Sequence, residues 1–407
     1  MPALQPVGSV ESRLSRYASP VAMPLPIPDS DALTHSGLLT ARIGEAIATE
    51  GGWIPFARFM ELVLYAPGLG YYSGGAHKFG AAGDFVTAPE MTPAFAQTLA
   101  TQALQVMNES RPHILEVGAG SGRLAADLLA ELAQRESLPE RYAILELSGE
   151  LRERQRQTLA ATVPALLPRV EWLDRLPERF DGLVLANELL DAMPVHLVRW
   201  LPDGIVERGV ACGGQGFIWA DRPAAGALRA RAESLAAEGV PQDDYLSEIG
   251  LAAAAWTASW GTILGRGALL LIDYGFPRRE FYHPQRSAGT VMCHYRHHSH
   301  PDPFYLPGLQ DITAHVDFTA IAEAGTEAGL DFLGYTTQAQ FLFNCGLTEV
   351  LSRTPADDPR RYLPLANAAQ KLISPAEMGE LFKVIALGRG ITAPLVGFIA
   401  GDRSATL

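Results

Sequence analysis

Cysteine is scarce in this 407-residue chain. Only Cys212, Cys293 and Cys345 occur, an odd and widely spaced set that excludes a disulfide framework and fits a reducing compartment. Long apolar runs are missing too: Leu251 to Trp260 and Ala268 to Ile272 fall short of the roughly 18 uninterrupted apolar residues a membrane span needs. Positive charge is in deficit, with 32 basic against 45 acidic residues and a net charge of −13. Such a chain repels a phosphate backbone, so nucleic acid is a poor partner and a cationic or basic peptide a better one. There is no internal repeat and no low-complexity tract. The first 30 residues lack the basic start and apolar core of a secretory signal and carry Pro2, Pro6, Pro20, Pro24, Pro26 and Pro28 instead. Residues 1–35 are therefore expected to be a disordered leader and the location the bacterial cytoplasm. Arg13, Arg16 and several serines make an organellar transit segment, and the mitochondrial matrix, the alternative.

The remaining sequence divides by texture. Helical spacing from Leu38 to Ala48 stops at Gly51 and Gly52, and a second helix is expected from Pro55 to Tyr65, with proline in the first-turn role. A glycine-rich joint follows, with Gly74, Gly75, Gly80 and Gly83 as a candidate lid or a plain surface loop, and then a helix from Pro93 to Met107. Residues 36–108 thus read as a helical lobe. From His113 onward, short apolar runs alternate with helical stretches, the pattern of a parallel sheet with crossover helices. Strands are expected at Ile114 to Val117, Tyr142 to Leu147, Gly182 to Ala186, Ala268 to Ile272, Phe332 to Tyr335 and Phe382 to Leu387, with a helix from Phe318 to Gly329. Between them, Val195 to Asp221 alternates like an antiparallel ribbon with turns at Pro202 to Gly204 and Gly213 to Gly216. Residues 195–264 are read as an inserted substrate or partner region, and 109–194 with 265–400 as the core. Tyr274 to Thr313 is too long and irregular for an ordinary connection.

The sharpest chemical signal is ILEVGAGSGRLAADLL, in which a buried strand ends at Glu116 and Val117 and passes through Gly118, Gly120 and Gly122 into a helix. A dinucleotide fingerprint wants G-x-G-x-x-G, but the third place here is Arg123. Glycines spaced G-x-G-x-G behind an acidic residue suit S-adenosylmethionine, which carries adenosine and an amino acid but no phosphate. The glycines clear room for it, and Glu116 can accept from its ammonium. Glu146, after the second strand, stands where two ribose hydroxyls would be held. Asp174, after the apolar Val170 to Leu173, is a candidate for the adenine amino group or a turn aspartate. In LVLANELLDAMPVHLVRW, Asn187 and Glu188 follow a buried strand on the ligand-binding edge, and one helical turn would bring Asp191 beside Glu188. A carboxylate pair beside a methyl donor suits a guanidinium, which is planar, always charged and matched to bidentate contacts.

GDFVTAPEM, LEVGAGSG, NELLDAMPV, IDYG and PGLQDITAHVDF, in this order over roughly residues 36 to 390, resemble the MidA-like methyltransferase family, whose mitochondrial relatives are arginine methyltransferases acting in respiratory complex I assembly. The resemblance implies a class I methyltransferase, Rossmann-like α/β fold: a mixed seven-stranded sheet with an N-terminal helical lobe and an inserted β-rich and helical region. It implies S-adenosylmethionine as donor and a protein arginine as acceptor. By motif, Gly118, Gly120, Gly122 and Glu146 would hold the donor, and Gly83, Asp84, Thr87, Pro89, Asn187 and Glu188 would line the pocket.

Rival readings rest on less. Cys293, His294, His297, His298 and His300 form a dense run, but no second cysteine pair accompanies it and no metal is expected. His315 in DITAHVDF is the better functional candidate, with a helix-capping role for Asp317 beside it. Ser121 lacks the G-x-S-x-G spacing of a hydrolase nucleophile. An oligomer is compatible with the sequence. A non-catalytic assembly factor that binds the donor and grips a partner is the alternative to an enzyme; the acidic residues at Glu146 and Glu188 favour catalysis.

Overall fold

The computed structural model describes residues 25–74 and 87–407. Most of the leader, and Gly83 and Asp84 with the rest of the glycine-rich joint from Gly75, lie outside the described residues. Seven strands build the central sheet: β1 (His113–Val117), β2 (Arg141–Leu145), β3 (Val170–Leu173), β4 (Phe180–Asn187), β5 (Leu264–Phe276), β6 (Asp331–Thr337) and β7 (Phe382–Arg389). Their order is β6-β7-β5-β4-β1-β2-β3. The five strands from β5 to β3 are parallel, and β7 runs antiparallel between β5 and β6. This is the mixed seven-stranded class I sheet the motifs imply, extended by the short strand Val316–Asp317, which pairs with the end of β5.

Alternation within each strand decides what covers each face. Ile114, Leu183 and Leu185 pack under the helices Pro93–Glu109 and Arg123–Gln134, while Leu115, Val184 and Leu269 pack against Leu251–Ile263 and Phe318–Glu327 on the other side. Apolar residues on both faces give near-continuous hydrophobic runs, the signature of a sheet covered by helices on both sides. β3 was not anticipated as a strand. It is short, and on the sheet edge only Val170 of its four residues is buried.

The N-terminal lobe departs from expectation. Its first helix, α1 (Ser30–Thr49), begins inside the segment read as leader, because Asp29 caps it by accepting from the Ala32 N–H at 2.8 Å and Ser36, Leu39, Ile43 and Ile47 form its buried stripe. After α2 (Phe56–Tyr65), the lobe does not stand apart from the inserted region. Ile54 and Pro55 pair antiparallel with Val210 and Gly209, so the lobe supplies a strand to the ribbon sheet formed by His196–Leu201, Gly204–Gly213, Gly216–Pro223 and Tyr245–Ile249. The irregular stretch before Thr313 is ordered as well: Met292–Tyr295, His298–His300 and Asp311–Thr313 form a three-stranded sheet. Leu39, Ile43, Phe59, Val195, Val210, Cys293 and Ile312 share one apolar core, so lobe, ribbon and small sheet make one body packed over the carboxyl ends of the central strands. A boundary at 195–264 therefore cuts through a continuous core.

Among the described residues, no helix is long and apolar enough to cross a membrane.

Candidate functional site

The carboxyl ends of β1, β2 and β4 open into a cavity of about 1490 Å³, roofed by α2 and the small sheet. Glu116, Gly118, Gly120, Glu146, Asp174, Thr87, Pro89, Asn187, Glu188, Asp191 and His315 all line it, so nearly every residue singled out in the described sequence meets in one place.

Gly122 is the exception among the glycines. It takes φ 82° as the N-cap of Arg123–Gln134, and a Cβ there would stand 3.0 Å from Gln155 Cα; its lack of a side chain lets the following helix, Gly149–Thr162, pack close. Gly120, at φ 52°, does line the cavity, in a conformation that glycine adopts without cost. Ser121 donates its hydroxyl to Glu90, tying the Ala88–Met91 turn to the glycine loop.

Where β1 ends, the Glu116 carboxylate accepts from the Tyr142 hydroxyl at 2.5 Å, and burial pushes it up to about 7. Glu146 follows β2; its carboxylate accepts from the Ser148 N–H at 2.9 Å and Gln155 Nε2 at 3.1 Å, and burial raises its pKa. Gln155 is itself held by the Trp172 indole at 2.8 Å, so Glu146 has a fixed orientation with lone pairs to spare.

The Glu188 and Asp191 pair is present, but no helical turn makes it. Glu188 sits in the left-handed region at φ 50°, a conformation that costs a non-glycine residue about 1–2 kcal/mol. The following chain turns over Asp273 of β5, whose Oδ2 accepts from the N–H groups of Leu189, Leu190 and Asp191 at 3.1, 2.8 and 3.3 Å. Pro194 and this carboxylate leave no room for a helix. Asn187 donates to Glu188 at 3.2 Å, and Tyr274 donates to Asp191 Oδ2 at 2.6 Å. Burial and the Asp191 charge push Glu188 up to about 8, and burial pushes Asp191 up to about 6.

The lobe contributes residues the sequence reading passed over. Tyr65 and Tyr72 stack at 5.5 Å between ring centroids, 21° from parallel, along the cavity wall. Tyr65 donates to Ala192 O at 2.8 Å, and Tyr72 to both oxygens of Asp311 at 3.1 Å. The signal for Asp311, Asp273 and Tyr274 was in view, since they belong to DITAHVDF and IDYG.

His315 sits edge-on to Tyr274 and Phe276, its Nδ1 buried without a hydrogen-bond partner. Burial, with Arg286 and Lys383 nearby, pushes it down to about 4, so the imidazole is neutral at physiological pH. Asp317 caps the helix Phe318–Glu327 through the Ala320 N–H at 3.2 Å. Cys293 is buried in the lobe core, and among the described residues no group of three His, Cys, Asp or Glu side chains is arranged to hold a metal ion.

Residues 95–336 match the model of a family described as S-adenosyl-L-methionine-dependent methyltransferases. The protein arginine methyltransferase NDUFAF7 of Mus musculus mitochondria is 29% identical over 380 residues, spanning 83% of this chain and 81% of its own. A crystal structure from Burkholderia thailandensis with S-adenosyl-homocysteine bound matches with a TM-score of 0.91 at 56% identity, covering 94% of this chain and 100% of that one. A native crystal structure from the same organism matches at 0.88 and 55% identity with the same coverage.

Proposed function

This chain belongs to the family of S-adenosyl-L-methionine-dependent methyltransferases, and we propose that the acceptor it methylates is an arginine guanidinium in a partner protein. The carrying observation is the one-sidedness of the acceptor end. Asn187 Oδ1 and Asp191 Oδ1 are buried without a hydrogen-bond partner, and Glu188 adds a carboxylate beside them. A cavity end lined by the carboxyl groups of Glu188 and Asp191 beside Asn187 suits a ligand that donates and carries positive charge. Guanidinium has five N–H groups in a planar fork and no acceptor, whereas a carbonyl, carboxylate or phosphate would set lone pairs against lone pairs. The stacked Tyr65 and Tyr72 offer such a cation aromatic surface, and neutral His315 does not repel it. The mouse relative's name, a protein arginine methyltransferase, supports the same acceptor.

At the donor end, Gly118 and Gly120 leave room for close approach, Glu116 receives the ammonium, Glu146 the ribose hydroxyls and Asp174 the adenine amino group, with Thr87 and Pro89 against the cavity edge. The bound donor supplies an electrophilic methyl group on a sulfonium. The chain's own residues then align the acceptor nitrogen for in-line attack, and a carboxylate of Glu188 or Asp191 takes the proton that the substituted nitrogen releases. No covalent attachment to the protein is required.

The test is incubation with labelled donor and host lysate, followed by mass spectrometry of the labelled band, with respiratory complex I subunits as the first partners to search. Label on an arginine supports the reading. Label on another residue type or a small molecule refutes the acceptor assignment, and donor binding without any transfer favours the non-catalytic assembly factor.

A further inference from the structure

In an extended strand, successive side chains point to opposite faces. Asn187, the last residue of β4, and Glu188, the next, nevertheless line the same cavity and share a hydrogen bond. The chain manages this by ending the strand abruptly. Glu188 N–H still reaches Ile272 O at 2.9 Å, as a ladder residue would, but its φ of 50° swings the following chain and its own side chain back toward Asn187. Such a conformation persists in a non-glycine residue only where the surroundings over-determine it.

Those surroundings are one dipeptide on the neighbouring strand. Asp273 Oδ2 accepts from the three successive N–H groups after Glu188, and Oδ1 accepts from the Tyr274 N–H at 2.9 Å. Tyr274 then takes Asp191 Oδ2 with its hydroxyl, leaving Oδ1 as the buried, unpartnered oxygen. Asp273 is 1% exposed and does not line the cavity, so it cannot touch a substrate. Nor is it a packing residue: an apolar side chain of that size would leave four backbone donors without partners.

Resting on the acceptor reading above, we propose that Asp273 is a positioning residue, holding the turn 188–191 so that Asn187, Glu188 and Asp191 converge on one acceptor. Tyr274 completes the clamp by holding the Asp191 carboxylate through Oδ2. In the motif IDYG, the aspartate thus acts on the reaction only through NELLD, while Tyr274 lines the cavity and also holds Asp191.

The experiment uses the full chain as wild type, Asp273→Asn, Asp273→Ala and Tyr274→Phe. Asparagine keeps the shape but turns one acceptor oxygen into an NH2, so either the turn amides or Tyr274 N–H loses its partner; it serves where alanine fails to fold. S-adenosyl-homocysteine affinity is read by calorimetry, amide exchange at Leu189 to Asp191 by mass spectrometry, and transfer by labelled donor. We expect donor affinity within about twofold of wild type, exchange at the three amides at least tenfold faster while β4 and β5 stay protected, and kcat down at least tenfold in Asp273→Asn. Tyr274→Phe should lower kcat and leave exchange at Leu189 unchanged. Unchanged exchange at all three amides in both Asp273 variants, or donor affinity falling in step with kcat, overturns the proposal. Exchange needs no acceptor, so a failure to find arginine methylation would strike the acceptor reading and leave this measurement standing.

Discussion

Glu188→Gln isolates the charge on which acceptor recognition depends, because glutamine keeps the volume and one oxygen. In the wild type, burial and Asp191 push Glu188 up to about 8. At pH 7 roughly one molecule in eleven then carries the ionised form, a penalty of about tenfold or ~1.4 kcal/mol for binding a cation. Wild-type kcat/KM for an arginine peptide should therefore climb about fivefold from pH 7 to pH 8, reach about tenfold near pH 9 and level off above. Once Glu188 is ionised, removing it from a desolvated pair costs roughly 3–5 kcal/mol, or about two to three and a half decades. At pH 7 the wild type has already given up one of those decades, so the gap between the two proteins should narrow by about tenfold. The assay is initial rates of transfer from pH 6 to pH 9 with the donor saturating. Parallel pH profiles, with a ratio that does not change, would refute the placement of Glu188 on the acceptor. Stability supplies an independent check of sign. A carboxylate raised in the fold from 4.5 contributes stability that is present below pH 4.5 and lost as pH rises through 8, so the Tm of Glu188→Gln should gain on the wild type across that window.

Gly120→Val should abolish S-adenosyl-homocysteine binding, because it places a branched side chain at φ 52° against the cavity; Gly122→Ala should instead lower Tm, since its Cβ meets Gln155 Cα at 3.0 Å, and calorimetry with thermal melts separates the two. With Glu116 pushed up to about 7, donor affinity should fall about tenfold per pH unit below 7, and Glu116→Gln should flatten that dependence in the same titration. Tyr72→Leu should raise the acceptor KM by a factor worth roughly 0.5–2 kcal/mol, with donor affinity unchanged.

The central sheet was legible because its signals are local: a buried strand, a glycine turn and a helix are consecutive in LEVGAGSGRL, and the strand ends at Glu116, Glu146 and Asn187 follow from apolar runs that stop. The conformation of NELLD was not legible. Residues three apart suggested a helix, but the decision is made by Asp273, 84 residues from Leu189, which offers the amides a better partner than helical carbonyls would. The lobe escaped for the same reason. Ile54 and Pro55 look like a helix approach, and their pairing with Val210 and Gly209 can be seen only once the ribbon is in place. Asp311 and Tyr274 were inside quoted motifs but carried no spacing rule that assigns a role. Tyr65 and Tyr72 read as helix and loop aromatics until the fold stacked them.

An acidic cavity of this kind is costly when empty, and the structure shows what offsets the cost. Glu188 and Asp191 each raise the charge burden on Asp273, and burial drives all three toward the protonated form. Backbone amides on Asp273 and the Tyr274 hydroxyl on Asp191 hold the geometry without supplying a positive charge. No arginine or lysine of the chain neutralises the cluster at hydrogen-bond distance among the described residues. A native cation there would have made a buried ion pair and filled the site. On the proposed reading, a cation entering beside these carboxylates favours their ionised forms and brings their pKa values down. On that reading, recognition and proton acceptance draw on the same electrostatic deficit, and the stacked Tyr65 and Tyr72 stand beside it on the cavity wall.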